Sequence, residues 1–432
     1  MNIRGLSLET IPPIFIPLRF FLSAPLFGIL ASVLMLYSGA DIWVTRWNVI
    51  NLALTHLLTI GFILMVMFGA LYQFIPVMTG QLIPGSKKLA PSIHIMISLG
   101  VLTLTAGFLS HSRIFFILAL FFLSIGLSLF AGSLLPLLIA RLQNQLIVFL
   151  LRILYLVLMV TLGIGLYMLL AYSAPSLEIA FRNYTDFHAL WGLAGWIVLI
   201  IMAISSQVIP MFYVTPEFSR NYLKMLSLAI LITLISLSLY QGEYIKTLDV
   251  LLSLELFIFV VYTLRLIEQR KRKIADVTIY FFRLSLVSLL FSIIIWWLGK
   301  YLSQQTFYFL IASVLIYGLA VSAITGMLHK IPAFLIFLHL QKLSLSRPDA
   351  LSLVPNMKQV ISSQNSWIQF MLFLLSYAFI LVSVFFPQLT VLSAFFMLLN
   401  FSWLAYCLFQ AIRLYHKTRH EILACPRLKM SI

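Results

Sequence analysis

The chain has 432 residues, 62% of them hydrophobic and 9% charged, with 28 Lys and Arg against 12 Asp and Glu. A soluble domain is nearer ~45–50% apolar and ~25% charged, and a chain of this size must still offer water a polar shell, so the composition excludes a soluble globular protein. The two cysteines, Cys407 and Cys425, exclude a disulfide framework and a Cys-based metal site.

A bilayer crossing needs ~20 apolar residues. Such runs fall at 15–38, 51–78, 91–110, 114–140, 147–172, 187–212, 223–240, 247–266, 283–302, 306–328, 367–386 and 388–412. Twelve crossings consume most of the chain and leave no room for a soluble domain, so the expected fold is all-α, a single polytopic membrane domain over 1–432. Arg4 and Glu9 precede the first run. That run lacks the short apolar region and small-residue cleavage site of a removable signal, so it is expected to be retained. Apolar character continues past the tenth run, through Pro332 to Leu340, so that span is read as continuing or re-entering.

If the N-terminus lies inside, 23 of the 28 Lys and Arg residues fall on inner segments and 5 on outer ones. Cytoplasmic loops carry such an excess, which places both termini on the cytoplasmic side. The formal charge of +16 therefore implies a lipid bilayer as partner and no nucleic acid. The Arg270–Lys273 run reads as an anchor near anionic lipid. With no organelle presequence, the expected location is a bacterial inner membrane.

Three spans end in a related phrase. The second ends Gln73-Phe74-Ile75-Pro76-Val77-Met78, the sixth Gln207-Val208-Ile209-Pro210-Met211-Phe212, and the tenth His329-Lys330-Ile331-Pro332-Ala333-Phe334. Gly61 and Gly195 each lie 15 residues before their proline, while the tenth has Tyr317 at that offset and Gly318 beside it. Recurrence every four spans predicts three four-helix arcs, approximately 1–141, 142–270 and 271–432, about a pseudo-threefold axis along the membrane normal. Gln73, Gln207 and His329 are then equivalent polar groups at helix ends, beside backbone that proline frees from its helical partner.

Eight histidines are present, and two open outward-starting spans. His56 opens the second in Thr55-His56-Leu57, and His188 opens the sixth in Phe187-His188-Ala189. Neutral imidazole is the commonest axial ligand of heme iron, and a ligating ring needs a second acceptor to fix its tautomer. An interfacial histidine also serves as a simple hydrogen-bonding group. The pairing is imperfect, because His56 lies 20 residues before its proline and His188 22, a rotation of ~200° on a helix. His329, beside Lys330, reads as an interfacial residue. It would share a face with His339 if the helix continued past Pro332. Glu255 stands inside the eighth span in Leu254-Glu255-Leu256. An ionisable group at that depth is a candidate proton relay, or a protonated glutamate bonded to a neighbouring helix.

Twelve spans in three arcs, with histidines opening the second and sixth, resemble the catalytic subunit of heme-copper oxidases and bacterial nitric oxide reductases. The segment with His56, Gly69-Ala70-Leu71-Tyr72 and Pro76 is similar to the heme-ligating second helix of the nitric oxide reductase branch. His188 lies on the helix that gives a copper ligand in that superfamily. The chain departs from the pattern where it matters chemically. The superfamily carries two histidines on its tenth helix and an adjacent pair on its seventh. Residues 223–240 contain no histidine, and Leu310-Ile311-Ala312-Ser313-Val314 holds none at the equivalent depth. The chain also resembles the NnrS-like group of twelve-helix relatives associated with heme and nitric-oxide stress. The resemblance implies a heme-binding protein with His56 and His188 as cofactor ligands, copper as a further candidate metal, and an electron donor or quinol as partner. It implies redox or nitric-oxide-related chemistry without a complete terminal-oxidase centre. The competing readings are a multi-pass transporter and a cofactor-free membrane protein.

Overall fold

The computed structural model describes residues 12–140, 145–177, 181–240, 245–271, 273 and 276–426. Arg4, Glu9, Arg141, Arg272, Arg427 and Lys429, which enter the charge reading above, lie outside the described residues. Within lipid every backbone N–H and C=O must be satisfied inside its own segment. Accordingly, every regular element among the described residues is helical. Twelve helices are long and apolar enough to cross a membrane, and the protein is an all-α integral membrane protein. They are α1 (Phe15–Trp43), α2 (Val49–Thr79), α3 (Ser86–Ser110), α4 (Arg113–Ile139), α5 (Gln145–Ser173) and α6 (Arg182–Tyr213), then α7 (Arg220–Leu239), α8 (Ile245–Glu268), α9 (Val277–Tyr301), α10 (Gln304–Ser344), α11 (Ser363–Ser383) and α12 (Pro387–Ala424).

All twelve predicted runs are present, and several helices overrun them. α9 starts six residues before its apolar run, and α12 continues twelve residues beyond its own. A helix needs only backbone bonding to propagate, so polar turns extend it after the hydropathy signal ends. Starts are set by side chains that accept orphan backbone N–H groups: Ser219 for α7, Asp276 for α9, Ser303 for α10 and Ser362 for α11. α10 does continue past Pro332, with a break. One helical segment ends at Leu328, and a new one runs Ile331–Ser344 with the proline in its first turn, where its missing N–H costs nothing.

Contacts between helix ends show the chain alternating across the layer. On one face, Arg152 Nε donates to Leu138 O at 2.8 Å, His339 Nε2 lies 3.1 Å from Pro12 O, and Arg347 Nε donates to Cys425 O at 3.1 Å. Both ends of the described chain sit here, so we call it the terminal face. On the opposite face, Arg113 Nε donates to Ser173 O at 2.8 Å and Trp43 Nε1 to Thr390 Oγ1 at 2.7 Å.

Consecutive helices pack side by side, and α12 lies along α1. α10 is the most enclosed, with 67% of its apolar window buried against 39% for α3, α4, α7, α8 and α11. The related helices α2, α6 and α10 share a device the sequence repeat did not announce. Each contains a π-helical run: Leu57–Leu64, Trp191–Ile197 and Ser313–Val321. All three runs begin 19 residues before the proline of their phrase. The run of α10 touches the runs of both α2 and α6. π turns are rare and concentrate at functional positions.

The glycines inside these runs explain the packing. A Cβ on Gly61 would fall 2.7 Å from the Phe27 side chain of α1, one on Gly195 2.8 Å from Val157 of α5, and one on Gly318 2.7 Å from Ser288 of α9. α2 and α6 are thus approached at their π glycines by the helix that precedes them in the chain, whereas the nearest side chain to Gly318 is Tyr377 of α11, with Ser288 of α9 behind it. Gly318, one residue off the offset of the other two, is met from both α9 and α11.

Polar links pin α10 to α11 and α12. Asn400 accepts from Gln369 Nε2 at 2.5 Å and donates to Tyr317 OH at 3.2 Å, and Tyr317 OH lies 2.8 Å from Ser376 Oγ. At the terminal face, Asp276 caps α9, accepts from Thr278 Oγ1 at 2.6 Å, and pairs with Lys330 at the break of α10. Burial pushes the Asp276 carboxyl up, but the Lys330 charge and the hydrogen bonds from Lys330 and Thr278 together hold it below its ordinary value. A depressed carboxylate contributes stability that is present above its unfolded pKa and lost as pH falls through the folded one. Asp276→Asn is therefore expected to lower the thermal unfolding midpoint at pH 7 and to flatten its decline below about pH 4. Circular dichroism melts across that pH range check this; parallel curves for variant and parent would show that the pair contributes nothing.

Candidate functional site

His56 and His188 sit where α2 and α6 approach their π runs. His56 immediately precedes the run of α2, and His188 lies three residues before that of α6. The two-residue offset expected from the proline spacing therefore persists. Both histidines stand on helices whose π runs meet the run of α10.

The two imidazoles are held in the same manner by different carbonyls. His56 Nδ1 lies 2.7 Å from Leu52 O, one turn earlier on its own helix. His188 Nδ1 lies 3.0 Å from Thr161 O on α5. A carbonyl only accepts, so in each ring Nδ1 carries the proton and Nε2 presents its lone pair. No hydrogen bond to either Nε2 exists among the described residues, and both side chains are half-buried. This is the tautomer a metal-ligating histidine requires, with its orienting acceptor in place.

The surroundings are aromatic and closely fitted. The His56 ring lies 5.7 Å from that of Phe108, which meets Tyr172 at 5.6 Å, and Tyr172 meets Phe116 at 4.8 Å. α3, α4 and α5 thereby supply an apolar wall beside the imidazole. His188 stands against Gly165 of α5, where a Cβ would fall 2.9 Å from its Cε1. Among the described residues no three His, Cys, Asp or Glu side chains gather as a metal cluster. The donor set among the described residues is the pair of imidazoles. It offers copper no protein-only cage among those residues.

The other sequence candidates separate. Gln73 and Gln207 line one cavity of about 390 Å³ between α2, α6 and α10 at the terminal face. His329, their counterpart in the repeat, does not join them. It is buried rather than interfacial, with Nδ1 3.1 Å from Ser366 Oγ of α11, and it lines a separate pocket of about 100 Å³ beside Asp276 and Lys330. The break in α10 turns it away. For the same reason His329 and His339 share no face, since His339 reaches Pro12 instead. Glu255 accepts a hydrogen bond from Thr233 Oγ1 of α7 at 2.9 Å, while its Oε2 is buried without a partner among the described residues.

One functional-looking feature escaped sequence reasoning. Arg46, counted there only as an outer charge, reaches Asp186 of α6 at 2.6 Å and lies 3.8 Å above the ring of Tyr308 on α10. It ties the loop between α1 and α2 to α6 and α10 on the opposite face. A lone arginine in a loop carries no local signal of such a role.

No protein-family model matches the chain, and no curated protein matches it. The site therefore rests on its own geometry. Gly165→Val is expected to push the His188 ring off Thr161 and expose it. Carbethoxylation of His188, followed by peptide mass spectrometry, should then run faster than in the parent protein; an unchanged rate would show that Gly165 does not position the ring.

Proposed function

We propose that this chain is a heme-binding multi-pass membrane protein, built on a plan like that of heme-copper oxidase catalytic subunits and close in kind to the NnrS-like group. It serves redox or nitric-oxide-related chemistry and lacks the histidine set of a complete terminal oxidase. The observation that carries this reading is the matched pair His56 and His188. Each ring stands at the start of a related central helix, with Nδ1 held by a carbonyl and Nε2 free.

His56 and His188 would hold the iron, and Leu52 O and Thr161 O would fix ring orientation and raise ligand basicity. The aromatic wall at Phe108, Tyr172 and Phe116 would exclude water from one side of the group. A bound heme would supply one-electron chemistry or a site for a diatomic gas. The terminal face is the cytoplasmic one in this reading, and the membrane is a bacterial inner membrane. The charge count of 23 against 5 supports that orientation.

An optical spectrum of the detergent-purified protein from heme-replete cells, oxidised and then reduced with dithionite, tests the proposal together with an iron and copper assay. Stoichiometric heme with sharp reduced bands is expected. His56→Ala and His188→Ala should each shift those bands or abolish them. A colourless, iron-free protein would sink the reading, and unchanged bands in both variants would remove the two histidines from the site.

A further inference from the structure

The pocket of about 100 Å³ beside His329 lies at the terminal face between α6, α9, α10 and α11, and nothing in the heme reading uses it. We propose that it binds a phosphomonoester group. Tyr213, which lines it at the end of α6, stands 25 residues after His188, or ~37 Å away along that helix, so this site does not rest on the two heme-ligand candidates.

The chain brings the starts of three helical segments to this one pocket. α9 contributes Val277 and Thr278, the second segment of α10 contributes Ala333, and α11 contributes Ser363. The first N–H groups of a helix have no partner within it, and such an end carries roughly half a positive charge. Asp276 serves one of the three starts. It accepts from the N–H of Thr278 at 3.1 Å and pairs with Lys330, so that carboxylate and that ammonium neutralise each other. The other two starts have no acid in their first turn. At α11, Ser362 accepts from the N–H of Asn365 at 3.1 Å, which leaves the N–H groups of Ser363 and Gln364 for a ligand. Lys358 lines the pocket, is exposed, and makes no ion pair among the described residues. Lys358 and the two unserved helix starts together present roughly two positive charges. A phosphomonoester carries about −1.5 to −2 at pH 7, whereas a carboxylate or a phosphodiester carries only one.

His329 is an independent sign of a missing partner. It lines the pocket, is 5% exposed, and its Nε2 is buried without a hydrogen bond among the described residues. Leaving a buried polar atom unmade is costly. Ser366 Oγ lies 3.1 Å from His329 Nδ1 and 3.1 Å from Ser362 O. With the hydroxyl proton turned to Nδ1, Nε2 becomes the donor of the ring. The phosphate oxygens then accept from Nε2, from the first N–H groups of α11 and from the Lys358 ammonium. The volume is below the ~300–1,000 Å³ of small-molecule sites, so the pocket takes the phosphate alone and the rest of the ligand stays outside it. The terminal face borders both water and lipid headgroups, so the group arrives on a soluble phosphomonoester or on phosphatidate.

Two assays on the full chain separate these sources. In nanodiscs of phosphatidylcholine, radiolabelled glycerol 3-phosphate is titrated by equilibrium dialysis, with acetate as competitor. From bilayers mixing phosphatidate with phosphatidylcholine, the lipid retained per chain is counted by native mass spectrometry. One saturable site per chain is expected; binding in the first assay identifies a soluble ligand, and selective retention in the second identifies the lipid. Acetate should not compete. Lys358→Gln, at an exposed position, should weaken binding by about tenfold, the loss of one charge-assisted hydrogen bond. Ser363→Pro should weaken it several-fold. It removes one backbone donor at the first helical position, where proline is tolerated, and Ser362 before it already has the extended backbone that a following proline requires. Absence of saturable binding in both assays, or unchanged binding in both variants, would overturn the proposal.

Discussion

Water cannot reach the backbone inside a bilayer, so each peptide group there must find its partner within its own helix. Everything else in this protein is arranged around that constraint and its three local relaxations. Nine of the spans contain no π run among the described residues. α2, α6 and α10 depart from regular α-helical bonding at one register, through the π runs at Leu57–Leu64, Trp191–Ile197 and Ser313–Val321. A π turn widens the helix, and the glycine in each run lets a neighbouring helix close onto it. The centre is therefore built from the three helices with the least regular backbone, and it is there that side chains with chemistry to offer are found.

The two ends of this central trio are treated differently. On the opposite face, Arg46 of the loop that leads into α2 joins α6 and α10 through Asp186 and Tyr308, and its planar guanidinium serves an ion pair and a ring face at once. On the terminal face the same helices diverge. Prolines sit near the ends of α2 and α6, and α10 breaks outright, leaving the cavity lined by Gln73 and Gln207. In α10 the polar content that the other two turn toward this cavity is spent sideways. His329 meets Ser366, and Tyr317 joins Asn400 and Ser376. Interhelical polar links in membranes contribute about 0.6–2 kcal/mol each, so this set holds α10, α11 and α12 in one register. The third repeat has traded symmetry for cohesion.

Much of this was legible in the residues. Hydropathy located all twelve spans, because lipid selects apolar residues at every position of a crossing. The Ile-Pro phrases marked α2, α6 and α10 as related, because proline has few tolerated places in a helix. His56 and His188 stood out as imidazoles at matching helix openings. The π runs were not legible, since backbone that gains a residue per turn leaves no composition signal. The network of Asn400 and Gln369 that pins α10 was not read from the residues either, since nothing local links amides on two different spans.

The sequence by itself determined that the chain spans a bilayer twelve times, where the crossings lie, and which three are kin. Each of these follows from local chemistry: apolar length, charge placement, and proline geometry. Only the tertiary structure decided what the kinship is used for. It gave Thr161 of α5 the task of orienting His188, and kept Gln73 and Gln207 together while turning His329 away. Those outcomes depend on how far apart helices stand and how they rotate about one another. Packing at glycines and the break at His329–Lys330 set both, and no single stretch of sequence contains either.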